Sequence, residues 1–285
     1  MKHGSSVSAD RPGEPVRMSY PAITDTEFNK FRSLIRQIAG INLSPAKRAL
    51  VVGRLGKRLR HCGLRTFSEY YRLVTHADHA DERQMLVDLL TTNETYFFRE
   101  PRHFEFLTRL ASGHGQKNPL RVWSAACSSG EETYSIAMTL ADALGLEGRW
   151  EVAGTDISSR MVERANRGLY PLTATQKIPG PLLKRYCRRG TREYAGTLLV
   201  DAALREKVRF TQMNLHGPWS GMGRFDVVFL RNVMIYFDIE TKRRLADRLW
   251  NQLVEGGHLI IGHSETLNGV SERFRVIRPS IYRRD

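Results

Sequence analysis

The sequence predicts an α/β fold: a small all-helical domain, then a mostly parallel sheet with helices on both faces and a small inserted antiparallel β subdomain. Three observations carry this reading. Residues 21–90 show apolar side chains at helical spacing and no strand pattern. Beyond residue 120, short apolar runs alternate with amphipathic ones, as in a parallel sheet. Between about 170 and 210 that rhythm breaks at "KRYCRRGTREYAGTLLV", whose two glycines stand six apart, as a hairpin with short helices would require. The chain has 285 residues, 41% of them hydrophobic, enough for one large or two modest domains.

Residues 1–20 are polar, rich in Ser, Gly and Pro, and are expected to be a disordered tail without the apolar core of a secretory signal. The first helix opens at Thr24 and Glu27, which have capping-box spacing, and continues through Phe28, Phe31, Leu34, Ile35 and Ile38 to a stop at Gly40. A second helix follows Pro45, a third starts at the Thr66–Glu69 box, and a fourth covers about 80–90. Strands are expected at "LRVWSAA", "WEVAGTDI", "FDVVFLRNV" and "HLIIGHSE", with a fifth at "RVIRPSIYR". Helices lie between them at "EETYSIAMTLADAL", "SSRMVERANRG" and "ETKRRLADRLWNQLV".

No run approaches the roughly 20 apolar residues of a membrane helix, so no membrane insertion is expected. Three scattered cysteines (Cys62, Cys127, Cys187) lack metal-type spacing and fit a reducing cytoplasm. The net charge of +14 calls for an acidic partner, whether nucleic acid, membrane surface or protein.

The loop "SAACSSGEE" follows the first strand, where an open α/β sheet binds its ligand. A phosphate would want several glycines; here Glu131 and Glu132 open the helix and would welcome a cation. Helix capping explains the same residues equally well, because Ser128–Glu131 and Ser129–Glu132 both have capping-box spacing. Asp156 ends the next strand, where a ribose diol is usually held, or else caps the helix after it. Together these features describe S-adenosylmethionine, an adenosine carrying cationic charge and no phosphate.

Two further constellations stand out. In "FDVVFLRNVMIYFD" the apolar run is a buried strand, and Arg231 and Asn232 leave the sheet at its ligand edge. Tyr236 follows, either as a core aromatic or as a functional group. In "TTNETYFFRE", Asn93, Thr95 and Arg99 are interleaved with aromatics; a linker helix would account for the aromatics but not for Asn93 and Thr95, which are poor helix formers.

The stretches "LLTTNETYFFRE", "RVWSAACSSGEETYSIAM", "GTDIS", "FLRNVMIYFD" and "GGHLIIGHSE" resemble, in order, the chemotaxis receptor methyltransferases of the CheR family. The resemblance runs from about residue 25 to the end and implies a Rossmann-like class I methyltransferase domain over 91–285, behind an N-terminal helical receptor-docking domain over 21–90. It implies transfer of methyl from S-adenosylmethionine to receptor glutamates, leaving S-adenosylhomocysteine, with no metal. It implies that Asn93, Thr95, Arg99, Glu131, Asp156, Asn214, Leu215, Arg231 and Asn232 line the cofactor, and that Arg99 and Tyr236 face the substrate carboxylate. Cys127 departs from the family, where a smaller or hydroxylated residue is common.

The chemistry suits these residues. A glutamate is already ionised at pH 7, so it needs orientation more than a base. Arg99 holding one oxygen and Tyr236 donating a hydrogen bond would supply that, and His263 is expected to be structural rather than a base. From Asn29 to Ser68 there is no acid, and Arg54, Lys57, Arg58 and His61 share a helix face. That face either docks the acidic methylation region of a receptor helical bundle or is merely solvated. In some relatives the inserted subdomain binds an aromatic-acidic pentapeptide at the receptor C-terminus. Arg188, Arg189 and Arg192 would meet it here, unless the insert is a plain solubilising hairpin. Nucleic acid is not the expected partner, since there is neither a Pro-Pro-Tyr/Phe nor a Pro-Cys methylation motif. A dehydrogenase is disfavoured by the missing glycines, and a decayed scaffold by the intact Arg99, Glu131, Asp156 and Tyr236. A monomer is expected.

Overall fold

A computed structural model describes residues 22–115 and 118–285. The tail expected over residues 1–20 lies outside them. Four helices come first: α1 (Asp25–Ala39), α2 (Arg48–His61), α3 (Phe67–Thr75) and α4 (Ala80–Leu90). Both Thr-x-x-Glu capping boxes form, at Thr24–Glu27 and Thr66–Glu69. Gly40 ends α1 in the left-handed conformation, at φ 72°. Phe31, Leu55, Phe67 and Tyr70 are fully buried among the four helices.

A non-helical segment leads into α5 (Arg102–Ser112) and then the sheet domain: β1 (Leu120–Ala125), α6 (Glu131–Leu144), β2 (Trp150–Asp156) and α7 (Ser159–Arg167). The insert contains β3 (Leu169–Pro171), α8 (Gly180–Tyr186), β4 (Cys187–Arg189) and β5 (Thr197–Val200). After it come α9 (Ala202–Glu206), β6 (Val208–Gln212), β7 (Phe225–Leu230), α10 (Ile239–Gln252), β8 (Leu253–Ile261), β9 (Phe274–Arg278) and β10 (Ile281–Arg284). The main sheet has the order β6-β2-β1-β7-β8-β10-β9, parallel from β6 to β8 and antiparallel through β10 and β9. The insert is a separate antiparallel sheet, β3-β5-β4. Among the described residues no helix is long and apolar enough to cross a membrane.

The structure revises three details. The single strand expected at "RVIRPSIYR" is a hairpin of β9 and β10, turned at Ser280 with φ 63°. Strand β6 was not anticipated because it closes one edge of the sheet, and its residues are half-buried or exposed rather than an apolar run. Helix α5 starts directly after Pro101, behind an aromatic stretch that masks its period.

The helical unit is packed onto the sheet. One contiguous hydrophobic cluster joins Phe31, Leu34 and Val51 to Trp123, Leu230 and Leu245. Polar ties cross the same boundary. Asn214 Nδ2 donates to the Ile38 carbonyl at 2.6 Å, Gln84 Nε2 to the Ile157 carbonyl at 2.9 Å, and the Asn42 amide to the Tyr236 carbonyl at 2.8 Å.

Candidate active site

The carboxyl ends of β1, β2 and β7 open onto a cleft of about 320 Å³, closed on its other side by the α1–α2 connection and by residues 90–99. The loop after β1 coils tightly, with Ala126, Ser128 and Gly130 at φ of 61°, 50° and 92°. Gly130 is required by more than its φ. A Cβ there would sit 2.8 Å from the Ala165 Cβ and 3.0 Å from the Tyr170 hydroxyl, so it sets how closely α7 approaches.

Asp156 staples this loop. Its Oδ2 accepts from the Ser128 amide at 2.8 Å and its Oδ1 from the Ser158 amide at 2.9 Å. Ser158, not Asp156, caps α7. Burial pushes the Asp156 carboxyl above its usual value, and the amide donors oppose that. Asp156 also lines the cleft.

The two glutamates part company. Neither expected capping box forms: the N-cap of α6 is Gly130, which has no side-chain bond. Successive helix residues point roughly 100° apart. Glu131 turns away from the cleft toward α7, where its Oε2 accepts from Ser129 Oγ at 2.6 Å. Glu132 is the acid that lines the cleft. It accepts from Ser124 Oγ at 2.7 Å and from Arg231 Nη1 at 2.8 Å. Of the two glutamates, the structure thus brings Glu132, and not the expected Glu131, to the cleft wall.

Asn93, Thr95 and Arg99 all reach the cleft from a segment that is not helical. Ser128 Oγ donates to the Asn93 carbonyl at 3.1 Å, and the Phe98 amide to Ser135 Oγ at 2.9 Å. Phe98 and Glu100 flank Arg99 with φ of 53° and 59°, a strained conformation for such residues that turns Arg99 toward the opening. The Arg99 guanidinium donates to the Glu94 carbonyl at 3.2 Å and lies 5.7 Å from the Tyr96 ring.

Arg231 braces that segment from below. Its side chain is 1% exposed and bridges Glu132 at 2.8 Å and Glu100 at 3.0 Å, while Nη2 also donates to the Arg99 carbonyl at 2.5 Å. Asn232 (φ 59°), Tyr236, Asn214 and Leu215 complete the lining. The residues expected to line the cofactor or face the substrate carboxylate thus meet at one cleft, Glu131 excepted, whereas those expected to dock the receptor lie outside it.

Sequence reading missed Glu265. Its buried carboxylate accepts amides from Gly262 at 2.7 Å, Asn232 at 2.8 Å and Met234 at 2.8 Å, so it organises the turn that presents Asn232 and Tyr236. Its motif was visible in "GHSE", but its partners are backbone amides, which leave no trace in a sequence. His263 of that motif is half exposed, stacks edge-on to His103 and does not line the cleft. Cys127 is buried in the cleft wall, and burial pushes its thiol well above the ordinary value.

The basic face of α2 is partly spent on the fold. Arg54 donates to the Leu89 and Thr91 carbonyls at 2.8 and 2.7 Å, closing the end of α4. Arg58 grips Glu82 at 2.8 and 2.5 Å. Of the three residues expected to dock substrate, only Lys57 is exposed; it shares a groove with Arg54, Arg58, His61 and Arg160. In the insert, Arg188 pairs with Asp201 at 2.8 Å, Arg189 and Arg192 are exposed, and β4 is an outer strand.

Comparison with known proteins gives two matches that together span these elements. A family described as "CheR methyltransferase, all-alpha domain" matches residues 26–91, and one described as "CheR methyltransferase, SAM binding domain" matches residues 93–282. The chain is 42% identical over 263 residues to chemotaxis protein methyltransferase 2 of Pseudomonas aeruginosa, covering 91% of this chain and 93% of that one. It is 41% identical over 263 residues to the chemotaxis protein methyltransferase of Escherichia coli, covering 92% and 91%.

Proposed function

The chain belongs to the CheR methyltransferase family and is an S-adenosylmethionine-dependent methyltransferase, and we propose that it esterifies glutamates in the acidic methylation region of a chemoreceptor helical bundle. The observation that carries this reading is the meeting of Asp156, Glu132, Arg99 and Tyr236 around one cleft. The names of the relatives supply the chemotaxis context.

The donor set suits the cofactor. Asp156 offers a carboxylate at the end of β2 for the ribose, and the small side chains of the β1 loop leave room for close approach. Glu132 gives the cleft negative charge against a cation, and Asn93, Asn214 and Asn232 offer amides. When bound, S-adenosylmethionine supplies an electrophilic methyl on a sulfonium. Arg99 would hold one carboxylate oxygen of the substrate glutamate and leave the other free to attack. Tyr236 would fix its orientation, and no base is called for because the nucleophile is already an anion. Arg231 holds the Arg99 backbone, and Glu265 the turn before Tyr236, so both groups are positioned before substrate arrives.

We further propose that the protein works as a monomer in the cytoplasm, with Lys57, Arg54 and Arg160 steering the acidic substrate and the open edge of β4, beside Arg189 and Arg192, receiving a receptor-tail peptide. All three cysteines are free thiols, which suits a reducing compartment. The decisive experiment is transfer of labelled methyl to purified receptor, followed by alkali. Methanol release identifies a carboxyl methyl ester, whereas alkali-stable label would place the acceptor elsewhere. Calorimetric titration with aromatic-acidic pentapeptides tests the tether separately, and no heat from any of several such peptides would remove it.

A further inference from the structure

At the end of the Arg231 guanidinium remote from Glu132 lies a second cluster that methyl transfer does not use. Glu100 Oε2 stands 3.5 Å from His103 Nδ1 and 3.8 Å from His263 Nε2. One donor atom from each of the three residues lies within 4.8 Å of the others. The three come from different elements: the segment before α5, the first turn of α5, and the loop after β8. None of them lines the cleft.

We propose that Glu100, His103 and His263 form a binding site for a divalent transition metal of the zinc class. Tetrahedral zinc with bonds of about 2.0–2.2 Å keeps its donors roughly 3.4 Å apart, near the 3.5 and 3.8 Å that separate Glu100 from the two imidazoles, whose own donors lie within 4.8 Å of each other. Two imidazoles and one carboxylate, with a position left for water, form a common zinc donor set. A second observation points the same way. His103 is 1% exposed, yet neither of its ring nitrogens has a hydrogen-bond partner. A buried imidazole left so is costly, and a metal ion at Nδ1 would satisfy one of the two nitrogens. The charges also fit: Glu100 and Glu132 carry two negative charges, Arg231 one positive, and the surplus negative charge favours a cation. His263, 52% exposed, gives the ion a way in.

Coordination ties the Arg99 segment to the "GHSE" loop that Glu265 organises. The site is therefore a staple beneath the catalytic groups rather than part of the reaction. The test is titration of the metal-free full-length protein with cobalt(II), read by visible ligand-field absorption, then displacement by zinc. The expected result is one equivalent bound, loss of the bands on zinc addition, and a rise in thermal midpoint with either metal. His263→Ala, a change at an exposed side chain, should weaken binding by at least about tenfold, because changes even outside the ligands cost that much. His263→Cys, which restores a ligand, should recover it and shift the bands. Cobalt binding by His263→Ala equal to the parent's would place the ion elsewhere and overturn the proposal. So would the absence of saturable binding by the parent protein.

Discussion

Two arginine-centred regions look alike in sequence and behave oppositely in the fold. Arg231 is sealed beneath the cleft, with both terminal nitrogens committed to carboxylates and to a backbone carbonyl. The face of α2 is a graded surface: Arg58 is bound to Glu82, Arg54 is spent on carbonyls yet keeps its charge, and Lys57 is open to solvent. The difference teaches that a cation's role follows from what surrounds its head group. A buried, paired arginine holds geometry; an exposed one holds a partner only weakly and through salt-sensitive attraction.

The comparison breaks most sharply at Arg231. Arg231→Ala leaves two largely buried carboxylates without their cation and should cost about 3–5 kcal/mol in chemical denaturation, together with methyl transfer. Stability within 1 kcal/mol of the parent would mean the brace is not structural. One step up, Arg99→Ala should leave the denaturation curve nearly unchanged while turnover falls about 10²–10³-fold, since a lone preorganised donor is worth that much. A variant that kept parental turnover on saturating receptor would take Arg99 out of catalysis.

Within α2 the effects should shrink. Arg58→Ala should destabilise by about 1–3 kcal/mol, less than at Arg231 because one carboxylate rather than two loses its partner and the Arg58 side chain is itself 22% exposed. The same pair sets an acid limit. Burial alone would raise the Glu82 carboxyl, but hydrogen bonds from Arg58 and Tyr70 outweigh it and hold it below 4.5. A depressed carboxyl stabilises the fold above its unfolded value and loses that contribution as pH falls through the lower folded value. Thermal midpoints below pH 4.5 should therefore drop more steeply in the parent than in Glu82→Gln. Parallel curves would show that the pair carries no linkage. The smallest change is Lys57→Glu with Arg160→Glu: unaltered stability, and receptor methylation reduced up to about tenfold at low salt, recovering as salt rises. Equal rates at low salt would strip the groove of its docking role. Reversing Arg58 as well would confuse the result, because it strands Glu82.

What was legible in the chain follows the same division. Local rules read well. The Thr24 and Thr66 caps are decided within one helical turn, and the β1 loop, Asp156 at its strand end and the non-helical "TTNETYFFRE" are marked by their own residue types, whatever distant partners then hold them. What failed depended on distant partners. Glu131 and Glu132 are indistinguishable in composition, and only the tertiary setting of α6 turns one inward to Arg231 and the other away. Arg58 looked free because its partner lies 24 residues on, in another helix. Glu265 was passed over because it binds amides that every sequence has. Strand β6 lacked an apolar signature because it has a neighbour on one side only.

One tie crosses the line between the two family matches and bears on inheritance. The Asn42 amide reaches the Tyr236 carbonyl, and Ile41 pairs with Phe237 in a lone β-bridge, so the link after α1 splints the turn that carries the tyrosine. The cleft draws its walls from both sides of residue 92. A gene cut there would yield two half-pockets rather than a docking module and an enzyme. Swapping the helical unit between relatives to retarget the protein would also disturb the catalytic turn, unless residues 40–47 travelled with their counterparts around 214 and 236. The docking and the chemistry proposed above would then be constrained to diverge together, although the domains look separable on paper.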